Sequence, residues 1–473
     1  MRVIVFGLGK FYENRKEQFW SYPDVDLVAY TDNNMCLWGK MLDGIEVVSP
    51  EEALQITYDT ILIMSTYAEE IYKQLTKMGV EDSRIKYWET FCAEQVSGTK
   101  TIYTGKSDDK RVKDKILVIT TDLNYDGGSL AAIYATLALK NRGYNASLAA
   151  PAGDERLIAE TTDKGISIYI CPSLPYIYYK EEIWIKQFDM VLVNVFQMIQ
   201  SVVKTRLFCP TLWWIHEPVG MFHYTRARHW NRVCAKDLDN IGIYAVSRIP
   251  RRNFNSYYPE RIQQILNYGI PDMKSDDLIS GQKKEKIIFA VIGRVGERKA
   301  QDIFCKAVRN MRLKELAEFW IIGHYGQDSY SEEICRMSNE TESAKMMGLL
   351  TREEIYSIFP QIDVVVCTSR EDPLPIVMTE GMMFGKVCIT TDNTGTADFI
   401  QEGENGFIIP SENADALRER MEWILNNKDK LDGIGQKARK TYEKYFTMEV
   451  FGENLESALV ETKKQWHLEK GEK

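Results

Sequence analysis

The sequence predicts an α/β protein made of three consecutive modules, each with a mainly parallel sheet. Short runs of β-forming residues alternate with polar stretches that carry the spacing of amphipathic helices, which is the pattern of βα units. A chain of 473 residues has room for about three domains. Polar stretches without sustained apolar periodicity, at residues 97–114 and 274–286, separate the three modules.

Each module contributes its own predicted strands. In the first module they lie at residues 3–6, 26–30 and 59–64. In the second they lie at residues 115–121, 189–195, 211–216 and 241–247. In the third they lie at residues 287–293, 318–323, 363–367 and 386–390. The predicted organisation is an accessory module 1–96, a linker 97–114, two further modules 115–280 and 281–440, and a charged helical tail 441–473.

Composition and charge exclude several classes of protein. The 59 Lys and Arg residues against 68 Asp and Glu residues give a net charge of −9, so no global positive field gathers nucleic acid or acidic lipid. The nine cysteines are odd in number and never spaced C-x-x-C, which argues against a disulfide framework or zinc cage and favours reduced cytosol. Because no signal-peptide cleavage site and no apolar run of membrane-spanning length is found, we expect a protein that is neither secreted nor integral.

Candidate site residues follow the strands, because ligands of such sheets bind beyond the carboxyl ends of the strands. In the third module, Arg294 and Lys299 share the loop after the first strand. An arginine and a lysine there could hold a diphosphate without a metal, and the alternative is a solvated basic loop.

A second strand of this module runs into an acidic, proline-containing loop and then a helix. The loop and the helix start carry Glu371, Asp372, Pro375, Ile376 and Val377. Backbone N–H groups at a helix start favour negatively charged ligand groups. Glu380, about one turn into the helix, points back to the same crevice or is an ordinary exposed glutamate.

The second module offers two further candidates. Gly127 and Gly128 follow its first strand and precede a helix, although diglycine is common in turns. His216 ends an apolar strand and is expected at the carboxyl edge of the sheet. Trp213 and Trp214 are expected in the core rather than as a platform for a sugar.

Taken together, these strand exits resemble the retaining glycosyltransferases of family 4 over about residues 115–465. The resemblance rests on the order and spacing of many elements, each of which is weak alone. They are Gly127-Gly128, residues 214–217, 245–247 and 266–271, Gly293-Arg294 with Lys299, the acidic loop leading to Glu380, and residues 385–390 and 405–407. The implied fold is a GT-B pair of Rossmann-like domains preceded by a third, small Rossmann-like domain, with a C-terminal tail that crosses back onto the second module.

The resemblance also implies roles for individual residues. Arg294 and Lys299 would bind the donor diphosphate and stabilise charge on the leaving nucleotide. Gly128 would let the backbone approach the same phosphates, His216 would face the transferred sugar, and Glu380 would accept hydrogen bonds from the ribose. The donor site would be completed by Gly127, Pro375, Ile376 and Val377.

The chain departs from the family's E-x7-E motif at the first acid. Asp372 and Glu380 form D-x7-E, with Glu371 directly before the aspartate. Register favours Asp372 as the acid near the sugar, and Glu371 stays open as the alternative. The family's retaining transfer is usually attributed to same-face attack, so two flanking carboxylates are not required. We expect no metal and no cofactor, and no metal role for the D-x-D sequence at residues 237–239.

Residues 1–96 resemble the small Rossmann-like domains of polysaccharide-biosynthesis proteins. Gly7 and Gly9 follow the first strand, and Asp32 follows the second. The full dinucleotide fingerprint would want a glycine at position 12, where Tyr12 should hinder pyrophosphate approach. Oligomerisation or docking to a pathway partner is therefore the favoured role of this module, and NAD binding is the alternative.

The leading hypothesis is a metal-independent enzyme that transfers a hexosyl or N-acetylhexosaminyl group, with retention, from a nucleotide donor to a glycan, lipid-linked or protein-linked acceptor. UDP is the expected nucleotide, and surface polysaccharide or glycoconjugate biosynthesis the implied setting. We expect a cytoplasmic protein, with peripheral membrane contact left open by the basic pairs Lys140/Arg142 and Arg226/Arg228. The alternatives are a catalytically silent GT-B subunit that binds a partner glycosyltransferase or glycan, an NAD-dependent oxidoreductase, and an epimerase or phosphorylase of the same fold.

Overall fold

Three separate sheets follow one another along the chain, as predicted. The computed structural model describes residues 1–96, 100–106, 113–178, 183–223, 235–262, 264–274, 285–340 and 344–469. The sheets contain six, eight and six strands in chain order. Among the helices of these described residues, none combines the length and apolarity that a bilayer span requires.

The first module packs short helices around a six-stranded sheet. Its elements are β1 (Arg2–Phe6), α1 (Lys10–Glu13), α2 (Lys16–Trp20), β2 (Asp26–Thr31), β3 (Met41–Leu42), β4 (Ile45–Val48), α3 (Pro50–Ala53), β5 (Thr60–Ile63), α4 (Ala68–Lys77), β6 (Ile85–Tyr87) and α5 (Trp88–Gln95). The strand order is β3-β4-β2-β1-β5-β6, parallel except between β3 and β4. Gln18 Nε2 donates to the hydroxyl of Tyr176 at 3.0 Å, which joins this module to the second.

The second module has an eight-stranded sheet. Its elements are β7 (Thr101–Tyr103), β8 (Lys115–Ile119), α6 (Gly127–Asn141), β9 (Asn145–Ala150), α7 (Glu155–Asp163), β10 (Ser167–Ile170), β11 (Met190–Asn194), α8 (Ile199–Thr205), β12 (Thr211–Ile215), β13 (Ile241–Ala245), α9 (Arg248–Asn255) and β14 (Gln264–Ile265). The strand order is β14-β13-β12-β11-β8-β9-β10-β7. Trp213 and Trp214 on β12 are both fully buried, so the prediction that they belong to the core is confirmed.

Part of the predicted linker 97–114 is a strand, which corrects its assignment. Strand β7 pairs antiparallel with β10 at the edge of the second sheet, with Ile102 opposite Tyr169. Three residues are too few to show a period-two pattern, and both apolar side chains of β7 are exposed, so the sequence carries no burial signal there. Residues 97–99 and 107–112 of that linker lie outside the described residues.

The third module is a parallel six-stranded sheet. Its elements are β15 (Ile287–Ile292), α10 (Gln301–Arg309), β16 (Ala317–Ile322), α11 (Ser329–Asn339), β17 (Ala344–Gly348), α12 (Arg352–Ile358), β18 (Val364–Cys367), α13 (Ile376–Met383), β19 (Val387–Thr391), β20 (Phe407–Ile409), α14 (Ala414–Asn426) and α15 (Leu431–Tyr445). The strand order is β17-β16-β15-β18-β19-β20. The predicted start of the tail at residue 441 falls inside α15, because that helix runs on to Tyr445.

The last helix, α16 (Met448–Glu469), crosses back onto the second module, as the resemblance implies. The ring of Phe451 stacks on Trp214 with 5.4 Å between centroids. Glu456 accepts from Lys113 Nζ at 2.6 Å and from Arg142 Nε at 2.6 Å. The core of the second module is thus completed by the far end of the chain.

Candidate active site

A cleft of about 600 Å³ lies between the second and third modules. Its walls are built by residues that follow β8 and β12 in one module and β15 and β18 in the other, at the carboxyl ends of the strands. All of the predicted site residues except Glu371 line this cleft, namely Gly127, Gly128, His216, Arg294, Lys299, Asp372, Pro375, Ile376, Val377 and Glu380. The structure therefore brings together residues that lie far apart in the sequence.

Helix α6 begins at the cleft with the two glycines. The Asp126 carboxylate accepts from the Ser129 backbone N–H at 2.9 Å, and Asn194 Nδ2 donates to the Gly128 carbonyl at 3.0 Å. A Cβ at Gly128 would have its nearest neighbours at 3.5 and 3.7 Å, which are ordinary contact distances. Protein packing therefore does not demand glycine here; the missing side chain instead leaves the start of α6 open to a ligand.

Three cations on the loop after β15 have different partners. Lys299 Nζ lies 2.6 Å from Asp372 Oδ2, and Arg298 Nη1 lies 3.0 Å from the same oxygen. The Arg294 guanidinium lines the cleft and makes no hydrogen bond or ion pair with the part of the chain that the structure describes. Arg294 is thus available to an incoming anion, whereas Lys299 already has a counter-ion.

Asp372 is the ionised acid of the cleft wall. Its residue surface is only 5% exposed. Burial by itself would raise the pKa of this carboxyl, but the charges of Lys299 and Arg298 outweigh burial and lower the pKa. Sequence reasoning missed Arg298, because nothing in its spacing shows which cation of the loop turns toward Asp372.

Glu371 points away from the cleft to the second module. Its Oε1 accepts from the backbone N–H of Val219 at 2.6 Å and from Asn253 Nδ2 at 3.2 Å. Its Oε2 accepts from Arg252 Nη2 at 3.1 Å. The two adjacent acids therefore differ in position: Asp372 faces the cleft, and Glu371 ties the third module to the second.

His216 lines the cleft as a neutral imidazole. Burial lowers the pKa of its ring to about 3. Its Nε2 is buried and, within the described residues, has no hydrogen-bond partner. The ring packs edge-on against Trp214, with 4.2 Å between centroids. An orphaned polar nitrogen at a cleft wall indicates a place where a ligand completes the hydrogen bonding.

Glu380 is buried and ion-paired, so the alternative of an exposed helical glutamate is wrong. Only 4% of its side chain is exposed, and Arg352 Nη2 donates to its Oε1. The Tyr356 hydroxyl donates to the same oxygen at 3.0 Å. Burial raises the pKa of the Glu380 carboxyl, and Arg352 offsets part of that rise. The Thr351/Glu354 capping box marks a helix start after a strand and could have placed Arg352 at that strand exit, but it does not show that Arg352 contacts Glu380.

Helix α13 presents an uncapped start to the cleft. Pro375 occupies the N-cap position, and none of the side chains that the structure describes caps the first backbone N–H groups of the helix. Ile376 and Val377 form its first turn and line the cleft. This helix start adds backbone donors to the wall opposite α6.

The remaining candidate residues belong to the D-x-D sequence, the first module and the basic pair at Arg226 and Arg228. In the D-x-D sequence, Asp237 Oδ1 lies 3.4 Å from Arg206 and Asp239 Oδ1 lies 2.8 Å from Arg261. In the first module, Asp32 Oδ2 accepts from the Leu8 backbone N–H at 2.8 Å, and the helix after the glycines, α1, has only four residues. Arg226 and Arg228 lie outside the described residues.

Family comparisons match two parts of the chain. Residues 272–441 match the family described as glycosyl transferases group 1, and residues 1–86 match the C2185-like N-terminal domain. The first match contains the third-module wall of the cleft, including Arg294, Asp372 and Glu380.

Curated relatives match over shorter stretches. Over 194 residues the chain is 25% identical to spore coat protein SA of Bacillus subtilis, which is 39% of this chain and 50% of that protein. Over 181 residues it is 25% identical to sulfoquinovosyl transferase SQD2 of Arabidopsis thaliana, which is 37% of this chain and 34% of that protein. The chain thus spans about half the length, or less, of these curated relatives.

Among solved structures, HepE of Anabaena in complex with UDP and glucose superposes on 74% of this chain and 100% of its own, with a TM-score of 0.63 and 15% identity. The overlap is large enough to include both modules that form the cleft. The protein therefore has the GT-B fold preceded by a small third module, and its residues 272–441 match the glycosyl transferases group 1 family.

Proposed function

We propose that this protein is a retaining glycosyltransferase of family 4 that moves a hexosyl or N-acetylhexosaminyl group from a UDP-linked donor to a glycan, lipid-linked or protein-linked acceptor. The observation that carries the proposal is the Arg294 guanidinium, which has no partner among the described residues and lies in a cleft whose other wall is the start of α6 at Gly127 and Gly128. A guanidinium opposite the backbone N–H groups of a helix start suits a diphosphate. The match of residues 272–441 to the glycosyl transferases group 1 family supports it.

The proposed reaction breaks the bond between the anomeric carbon of the sugar and the donor diphosphate. Arg294 and the starts of α6 and α13 take up the charge that develops on the leaving diphosphate. The acceptor hydroxyl adds to the anomeric carbon on the face that the diphosphate leaves, and its proton passes to the departing oxygen. No step needs a metal ion, so we expect transfer to persist in EDTA.

Two side chains of the cleft would contact the sugar. The neutral His216 ring has an unpartnered Nε2 that can form a hydrogen bond with a sugar hydroxyl. Asp372 is ionised and sits in the cleft wall, where its charge favours positive charge on the anomeric carbon. The ion pair with Lys299 keeps the Asp372 carboxylate oriented. Glu371 would instead hold the third module against the second through its hydrogen bond with Val219.

UDP is the nucleotide to test first, because the structure of HepE was solved with UDP and with UDP-glucose. For the first module we propose docking to a pathway partner or to a second copy of the chain. The setting that fits these features is biosynthesis of a surface polysaccharide or glycoconjugate, on the cytoplasmic side of the membrane.

Ligand-induced thermal stabilisation tests the proposal. UDP, GDP, ADP and NAD are added in turn to the wild type and to Arg294→Ala. A ligand at about a hundred times its Kd stabilises the folded state by about 2.7 kcal/mol, which is easily resolved. We expect UDP to stabilise the wild type and not the variant, and the product of transfer to keep the donor's anomeric configuration by NMR. Stabilisation by none of the nucleoside diphosphates would overturn the proposal and favour a catalytically silent subunit.

A further inference from the structure

An arginine that sequence reasoning did not single out holds the carboxylate at the ribose end of the proposed donor site. Arg352, the first residue of α12, lines the cleft with 26% of its side chain exposed. It donates from Nη2 to Glu380 Oε1 and from Nε to the Tyr356 hydroxyl at 3.1 Å. Tyr356 in turn donates to the same oxygen of Glu380.

These hydrogen bonds involve only one of the two carboxylate oxygens of Glu380. Oε1 accepts both protein hydrogen bonds, whereas Oε2 accepts none from the described residues. Since Glu380 itself lines the cleft and is almost fully buried, its orientation is fixed by Arg352 and Tyr356 rather than by solvent. A carboxylate held through one oxygen presents the second as an acceptor in a defined direction.

The same network faces the opposite module across the cleft. Burial raises the pKa of Tyr134 on α6, and the nearby charge of Arg352 offsets part of that rise. Helix α6 is the helix whose start, Gly127-Gly128, forms the proposed phosphate wall. Arg352 thus lies close to both halves of the cleft.

We propose that Arg352 is a positioning residue of the donor site: it holds Glu380 through Oε1 so that Oε2 accepts a ribose hydroxyl. The inference rests on the proposed function, since it requires a ribonucleotide donor. It predicts that Arg352 governs the preference for the ribose hydroxyls and leaves phosphate binding unchanged.

The test measures Kd by calorimetry for UDP, 2′-deoxy-UDP, 3′-deoxy-UDP and inorganic pyrophosphate. In the wild type we expect one deoxy analogue to bind about tenfold more weakly than UDP, the effect of one lost hydrogen bond to a charged acceptor. In Arg352→Met, the affinity for UDP should fall to the affinity that the wild type has for that analogue. The affinity for pyrophosphate should stay unchanged. The double variant Arg352→Met with Glu380→Gln should lose no more affinity for UDP than Glu380→Gln alone, because both changes remove the same hydrogen bond to the ribose.

The chain offers a matched control. Arg420 is also partly exposed, pairs with a glutamate (Glu402, 2.6 Å) and lies over an aromatic ring (Phe407, 4.7 Å), but it does not line the cleft. Arg420→Met should leave all four affinities unchanged, and melting curves confirm that each variant is folded. If Arg352→Met keeps the wild-type preference for the ribose hydroxyl, this inference alone is overturned. The same holds if the variant weakens pyrophosphate binding as much as UDP binding. If the wild type binds no nucleotide, the proposed function is overturned and the inference with it.

Discussion

Lys299 Nζ lies 2.6 Å from Asp372 Oδ2, so the lysine predicted to bind the donor diphosphate is already paired with the acid predicted to approach the sugar. The two residues therefore form one ion pair, and replacing either by a neutral residue leaves the charge of the other without this partner. Arg294, on the same loop, has no such partner among the described residues. Within the part of the chain that the structure describes, the loop thus combines a structural ion pair with a cation that has no protein partner.

Arg294→Ala and Asp372→Asn should separate binding from stability. Because the Arg294 guanidinium has no partner among the described residues, its loss should lower transfer by at least about a hundredfold and leave the free energy of unfolding unchanged. Asp372→Asn leaves Lys299 without its counter-ion and should also destabilise the fold by about 1–2 kcal/mol, less than a fully buried pair because Lys299 is partly exposed. Transfer assays and urea titrations check both variants. Equal destabilisation by the two changes would contradict this assignment.

Gly128→Ala should impair the donor site without destabilising the protein. The added methyl group meets protein atoms only at ordinary contact distances but projects into the start of α6, where the diphosphate is expected. We expect the Kd for UDP to rise about tenfold, a loss of about 1.4 kcal/mol, with an unchanged midpoint in urea. Gly242→Ala is the control, since its Cβ would lie 2.0 Å from Thr462 Oγ1 and should cost about 1–3 kcal/mol of stability. A loss of stability in Gly128→Ala equal to that in Gly242→Ala would refute the prediction.

Glu371→Ala should affect domain closure more than donor affinity. Glu371 bonds to Val219, Asn253 and Arg252 of the second module and does not line the cleft. We expect kcat/KM for the acceptor to fall about tenfold while the Kd for UDP changes by less than about twofold, because closure excludes water from the reacting sugar. Small-angle scattering should show a larger radius of gyration in the variant. Glu412→Ala, which removes an ion pair to Arg370 within the third module, is the control and should show neither effect.

The stabilising contribution of Glu456 should disappear at acid pH. Its hydrogen bond from Lys113, aided by Arg142 and Tyr144 against the effect of burial, lowers the pKa of this carboxyl to about 2. Because the pKa is lower in the folded state than in the unfolded chain, the contribution is complete above about pH 5 and is lost as the pH falls toward 2. The difference in unfolding free energy between the wild type and Glu456→Gln should therefore shrink between about pH 5 and pH 3 in urea titrations. A difference that stays constant over that range would contradict the assigned ion pairs.

The strands at the centres of the three sheets could be predicted because buried parallel strands read as continuous apolar runs. Strand β7 and the partly exposed β17 could not, because edge strands bury too little to leave a clear pattern. The proximity of Arg294 and Glu380 followed from the geometry of a parallel sheet, whose strands all end at the same edge. Their convergence with His216, which belongs to the second sheet, was expected only from the resemblance to a GT-B family. The sequence could not show which partner each side chain selects.

The adjacent acids illustrate that limit. Glu371 and Asp372 are chemically similar neighbours in the chain, and only the three-dimensional structure shows that one turns to Val219 and the other to Lys299. Arg352 was overlooked for a related reason: an arginine at a helix start is common on surfaces, and its contact with Glu380 joins residues on two separate helices. Such pairings depend on packing between elements, which local sequence patterns do not report.

The return of α16 to the second module bears on how the chain folds during synthesis. Lys113 and Glu456 are 343 residues apart in sequence, yet they form an ion pair, and Phe451 covers Trp214 in the same core. The second module therefore cannot finish its core when its own residues leave the ribosome, and must wait with apolar surface exposed until the third module has been made. Both modules should consequently unfold in one cooperative transition, and a nascent chain stalled before α16 should bind chaperones through the uncovered face of β12 and β13.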